Sequence, residues 1–161
     1  MTALCSLALA SCGSGQPDVI KIGYIGPLTG GAASYGADTL NATKLKIDEI
    51  NAAGGIDGKQ IQLIAEDARC TGSDAASAAQ KLIHVDGVVG ILGGQCSGET
   101  LAASAIANAG EVVMISAVSS SPDVTDAGDF VFRVYPSDAL KGVANARYFE
   151  KEGIQKIAMI T

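Results

Sequence analysis

The sequence predicts an α/β fold, a doubly wound parallel sheet with helices on both faces, and three observations carry the prediction. Short strand-like segments, Val19 to Ile25, Gln60 to Glu66, Val88 to Leu92 and Val112 to Ile115, alternate with longer stretches of helical period. That order builds parallel strands joined by right-handed crossovers. Polar, small-residue loops follow several of these strands, at the carboxyl edge where open α/β sheets hold ligands. Composition agrees: the chain is 48% hydrophobic but only 4% aromatic with no Trp, so its core must come from closely packed Ala, Val, Ile and Leu.

The elements follow in order. Val19 to Ile25 alternates and runs into Gly26-Pro27-Leu28-Thr29-Gly30-Gly31, a strand ending in a glycine-rich loop. From Tyr35 the apolar residues Ala37, Leu40, Ile47 and Ile50 recur at helical spacing, and Gly54-Gly55 supplies a stop. Ile56 to Lys59 turns into the second strand, and Ser73 is placed to cap a second helix through Ala76, Ala79, Leu82 and Ile83. A third helix is expected over about Ser97 to Ala109. Phe130 to Val134 reads as another strand, Tyr135 to Asp138 as a hinge, Ala139 to Lys151 as a helix and Lys156 to Thr161 as a final strand.

The stretch Val88 to Thr100 carries the functional reading. A buried strand gives way to Gly93-Gly94, which lets the backbone turn, and then to Ser97, a good N-cap. Free amides and the helix dipole at such a start favour an anion, so a small carboxylate is a natural guest. Ser116 to Pro122 forms a second polar loop at the same edge, with Ser121-Pro122 reading as a cap followed by proline at the first helical position. Capping and turn chemistry alone would also place these serines.

Charge and motif exclude other classes. A formal net charge of -6 without Lys or Arg clusters argues against nucleic acid or an anionic membrane as main partner. No nucleotide-binding glycine motif appears, and the carboxylates of Glu66-Asp67 have no third ligand for a metal, so neither cofactor nor metal is expected. Gly94-Gln95-Cys96-Ser97-Gly98 fits a cysteine form of the nucleophile elbow, but the single histidine, His84, lies upstream on a helix expected to face solvent. A hydrolase or amidotransferase with a Cys96 nucleophile is therefore the weakest reading, and no enzyme is expected.

At the N-terminus, Ala3 to Ala10 suits the core of an export signal, and Leu9-Ala10-Ser11-Cys12 resembles the bacterial lipobox, in which the cysteine is lipidated. No Lys or Arg precedes that run, where a signal carries its positive region. Gly13 to Pro17 reads as a flexible tether.

Taken together and in order, Gly26-Pro27-Leu28-Thr29-Gly30, Tyr35-Gly36, Ile50-Asn51-Ala52-Ala53-Gly54-Gly55-Ile56, Cys96-Ser97 and Met114-Ile115-Ser116 resemble the leucine/isoleucine/valine-binding type of periplasmic binding protein. That family supplies solute receptors of ABC importers and folds as two doubly wound lobes closing over an amino acid. The resemblance implies residues 1–12 as lipoprotein signal, 13–18 as tether, 19–136 as the first lobe of a type I periplasmic binding protein and 137–161 as the truncated start of a second. The chain is thus expected to be a fragment.

The resemblance also implies site roles. Ser97 would hydrogen-bond the α-carboxylate, Ser120 would stand where the family often has Thr, the Val118 carbonyl would accept from the ammonium, and Ser119 and Tyr35 would complete the pocket. Val118 and Ser119 replace the residues common in that loop. With Cys5 in the signal and Cys12 lipidated, Cys70 and Cys96 remain, and the family commonly has a disulfide there. The implied partners are a small amino acid or related carboxylate and a membrane permease, with the membrane met only through a lipid anchor on an exported, periplasmic protein. The alternative on the same fold is a sensory or regulatory receptor for an amide or amino acid.

Overall fold

The computed structural model describes residues 18–158. Five parallel strands, β1 (Ile20–Gly26), β2 (Ile61–Asp67), β3 (Gly90–Leu92), β4 (Val113–Ser116) and β5 (Val131–Arg133), form one sheet in the order β2-β1-β3-β4-β5. The chain winds outward from β1 to β2, then returns past β1 to β3. The strand order therefore reverses between β1 and β3, the point at which such sheets open a crevice at their carboxyl edge.

Helices α1 (Ala33–Ala52), α2 (Gly72–Lys81), α3 (Ser97–Ala109) and α4 (Asp138–Lys151) follow β1, β2, β3 and β5. Neighbouring residues of a strand point to opposite faces, and β1 shows which helix takes which. A Cβ on Gly23 would lie 2.9 Å from Leu82, just past α2, whereas the Tyr24 hydroxyl reaches the Gly36 carbonyl of α1 at 2.7 Å. So α1 covers one face and α2 with α3 the other, as the sequence predicts.

The core lies on the α2/α3 face. Ile25, Ile91 and Met114 from the sheet pack with Leu82 and with Ala75, Ala79, Ala103 and Ala107, all nearly or wholly buried. Alanines at these positions let α2 and α3 sit close to each other and to the strands. Each fully buried Ile or Leu contributes roughly 1.5 to 3 kcal/mol. On the other face, α1 shields β1 and β2 with Leu40 and Ile47, while Val113, Ile115 and Phe132 of β4 and β5 stay exposed. An apolar groove of about 560 Å³ runs between α1 and these bare strands, walled by Ile22, Ile47, Leu92 and Ile115.

Several boundaries differ from the sequence reading. β3 begins at Gly90 rather than Val88, because the Gly87 amide closes a π-helical turn over Leu82–Asp86 on the Leu82 carbonyl and the Val88 amide donates to the same oxygen. α2 starts at Gly72 with Thr71 in the cap position, so Ser73 lies inside the helix. Proline at 122 opens a short 3-10 turn, Pro122–Asp126, with the Ser121 hydroxyl accepting from the Asp123 amide as a cap should. β5 is shorter at both ends than predicted. Residues 154–158 form no strand, and the rest of the strand predicted over Lys156 to Thr161 lies outside the described residues, as do the expected signal, the Cys12 lipidation site and nearly all of the tether.

Candidate functional site

The site grows out of the turn between β3 and α3. Gly93 has φ +131, and a Cβ there would fall 2.0 Å from the Ile25 carbonyl oxygen, so the turn presses directly on the end of β1. Only glycine accepts both constraints. The residue in the N-cap position of α3 is Cys96, and capping falls to Glu99 three residues on. Its fully buried carboxylate accepts from the amides of Gln95 (2.9 Å), Cys96 (3.0 Å) and Cys70 (2.8 Å). The Cys70–Cys96 disulfide, with Cα atoms 5.5 Å apart, ties the same two loops covalently. The Cys96 sulfur is thus bonded to Cys70 instead of being held as a thiolate, and His84 is exposed, which removes the nucleophile from the hydrolase reading.

Ser97 is the first residue of α3, not its cap. Freed from capping, its hydroxyl oxygen accepts from the amides of Ser120 (3.2 Å) and Ser121 (3.1 Å) in the loop after β4. The two polar bends therefore meet. Because that oxygen takes two donors, the hydroxyl hydrogen is left to point elsewhere. The amides of Ser97 and Gly98, in the first turn of α3, have no intrahelical acceptor. The Val118 carbonyl carries no hydrogen bond among the described residues.

Ser120 has a partner the sequence does not announce. Its hydroxyl donates to the Asp138 carboxylate at 2.7 Å, and the Asp138 amide returns a bond to the Ser120 carbonyl at 2.8 Å. The Lys141 ammonium, 2.9 Å from Asp138, and then the Ser120 hydroxyl hold the Asp138 carboxyl below its ordinary value. With its proton turned to that carboxylate, the Ser120 oxygen offers lone pairs to the cleft.

Between these groups lies a cleft of about 340 Å³, bordered by Tyr35 on α1, Val118 and Ser120 on the β4 loop, Cys96 at α3, and Tyr135 and Lys141 at the hinge and α4. The Lys141 ammonium stands 4.4 Å over the Tyr135 ring, a cation–π contact. Of the residues singled out in the sequence, Tyr35, Val118 and Ser120 line this space and Ser97 braces it. Ser119 does not reach it and must be corrected: it is buried, its hydroxyl lies 2.7 Å from that of Thr100 and 3.1 Å from the Gly94 carbonyl, and its amide donates to Ser116. The tight bend after Ser116 turns that side chain inward.

Glu99, Gln95, Asp138 and Lys141 were not anticipated. Cys96-x-x-Glu99 has the spacing of a capping residue and its N3 partner, which could have flagged Glu99. Nothing local links Asp138 to Ser120, eighteen residues earlier. The paired acids Glu66 and Asp67 serve structure: Glu66 binds Lys81 at 2.6 Å, and Asp67 accepts from the amides of Leu28 (2.8 Å) and Arg69 (3.0 Å) and the Thr29 hydroxyl (2.5 Å), pinning the loop after β1. Among the described residues no cluster of three His, Cys, Asp or Glu is set to hold a metal, and no helix is long and apolar enough to cross a membrane.

Known proteins resemble this chain in sequence and fold. The Leu/Ile/Val-binding protein of Escherichia coli K12 is 30% identical over 156 residues, 96% of this chain and 42% of that protein. Among solved structures, the branched-chain amino acid transporter substrate binding protein of Streptococcus pneumoniae in complex with isoleucine superposes with a TM-score of 0.73 at 36% identity, covering 75% of this chain and 35% of that one. The solute binding protein of an ABC transporter from Rhodopseudomonas palustris BisB5, in complex with 3,4-dihydroxybenzoic acid, gives 0.79 at 30% identity, covering 86% and 38%. The chain thus spans well under half the length of these relatives. Residues 19–161 match the periplasmic binding protein family. On that match, and on a parallel sheet whose loops converge at its switch point, the chain belongs to the periplasmic binding protein family.

Proposed function

We propose that this chain supplies one wall of an extracytoplasmic solute receptor, which captures a small carboxylate, an amino acid in the first instance, and delivers it to an ABC importer. The observation that carries the reading is the junction of Ser97 with the Ser120–Ser121 amides at the start of α3. There the free Ser97 hydroxyl hydrogen and the first-turn amides offer donors to a carboxylate. An ammonium group would find acceptors in the Val118 carbonyl and the Ser120 oxygen, a division of labour that shifts Ser120 from the carboxylate to the ammonium end. Tyr35 covers the guest from α1. The exported location and a lipid anchor at Cys12 belong to the same proposal, as does the permease partner.

Relatives that bind isoleucine and dihydroxybenzoate share a carboxylate in their guests. A thermal-shift screen of the full-length protein over amino acids and aromatic carboxylates tests the reading. A rise in Tm with one of these classes is expected, and no rise with any member of either would contradict it.

A further inference from the structure

Gln95 borders both the cleft and the apolar groove beside α1. It is only 4% exposed, and its Oε1 is the one buried side-chain oxygen or nitrogen without a hydrogen bond among the described residues. Its polar neighbours are already paired. The Tyr24 hydroxyl is bound to the Gly36 carbonyl (2.7 Å) and Thr39 (2.6 Å), the Thr100 hydroxyl to the Gly94 carbonyl, and the Glu99 carboxylate to three amides, one of them that of Gln95 itself. That last bond fixes the Gln95 backbone, so the side chain cannot withdraw. Native interiors leave few such groups unpaired, and each calls for an explanation. The groove on its other side is walled by Ile22, Leu92 and Ile115, and its polar side chains are already engaged, Thr39 with Tyr24 and the Tyr35 carbonyl, Thr43 with the Thr39 carbonyl and Lys46 with Glu49. Only the cleft can supply one. The carboxamide lies beside the Tyr24 hydroxyl, and the atom left without a partner is its oxygen, an acceptor that a hydroxyl or N–H of the guest would satisfy.

We propose that Gln95 determines specificity from the floor of the cleft, hydrogen-bonding the end of the guest remote from its carboxylate, so that the favoured ligand is a small carboxylate bearing a hydroxyl or amide rather than a purely aliphatic side chain. The proposal rests on the reading of the cleft as a carboxylate site. A guest of the same shape without the polar group would seal the carboxamide away unpaired, and sites built this way reject such analogues strongly.

Calorimetric titration of the full-length protein with three near-isosteric pairs, threonine and valine, asparagine and leucine, 4-hydroxybenzoate and benzoate, tests it. The polar member of a bound pair should bind at least about tenfold tighter. Gln95→Leu, which keeps the side chain's bulk, should erase or invert that ratio while binding of the apolar member persists. The wild-type ratio needs no variant, so a Gln95→Leu protein that failed to fold would still leave the proposal exposed to refutation. Equal or tighter binding of the apolar members by the wild type, or a ratio unchanged in Gln95→Leu, overturns this inference and leaves the carboxylate reading standing. Binding of no member of any pair overturns both.

Discussion

The Ser97 hydroxyl oxygen lies 3.2 Å from the amide nitrogen of Ser120, so the loop that ends β3 and the loop that ends β4 are joined at the sheet's switch point. The bond needs Ser97 one residue inside α3, which in turn needs Glu99 to cap the helix. The junction at this edge therefore depends on a buried acid that touches none of the cleft-lining side chains except through backbone amides.

Replacing Ser97 by Ala leaves the Ser120 and Ser121 amides without their acceptor. We expect a loss of about 1 to 2 kcal/mol in folding stability, with the secondary structure intact. Urea denaturation followed by circular dichroism checks it; an unchanged midpoint would mean that water replaces the hydroxyl at no cost.

Glu99→Ala strips three amides of one acceptor in a fully buried place. The expected cost is about 3 kcal/mol or more, since each orphaned buried donor costs about 1 to 3 kcal/mol. Amide hydrogen exchange should quicken first at Cys70, Gln95 and Cys96, and uniform quickening along the chain would speak against a local role.

Reducing the Cys70–Cys96 bridge, whose cysteines are 26 residues apart, should lower stability by about 3.5 kcal/mol in the chain-entropy account. Denaturation with and without reductant measures this, with the Cys70→Ala, Cys96→Ala double variant as the control that reductant must not affect.

Asp67 makes stability depend on pH. Burial pulls its carboxyl upward, but bonds from the Thr29 hydroxyl and from the Leu28, Arg69 and Thr29 amides outweigh that and hold it below its ordinary 3.8. A carboxyl depressed in the folded state contributes stability above the unfolded value, and the contribution disappears as pH falls through the lower folded value. Stability should therefore drop as pH falls below about 3.9, and Asp67→Asn should flatten that part of the profile. Parallel profiles for the two proteins would remove Asp67 from the account.

Much of this was legible in the sequence because each signal was local. Strand and helix alternation gave the parallel sheet, Gly93-Gly94 marked the turn, and Ser121-Pro122 marked a capped turn that the structure contains. The failures were of two kinds. Ser97 looked like a cap because serine is a favoured N-cap, but Glu99 at the N3 position outcompeted it for the helix start. Ser119 looked like its neighbours in a run of three serines, and only the bend at Ser116 sends its side chain inward. The tie from Ser120 to Asp138 crosses eighteen residues and the hinge, where no periodicity or motif reports on distance.

The account's central claim is that this edge grips a carboxylate. Calorimetric titration of the full-length protein with the amino acid that stabilises it most, against the same amino acid with its carboxylate converted to a carboxamide, tests this most directly. The account predicts that the amide binds at least about tenfold more weakly, the loss of charge-assisted hydrogen bonds at the start of α3. Equal affinity for the two would contradict it.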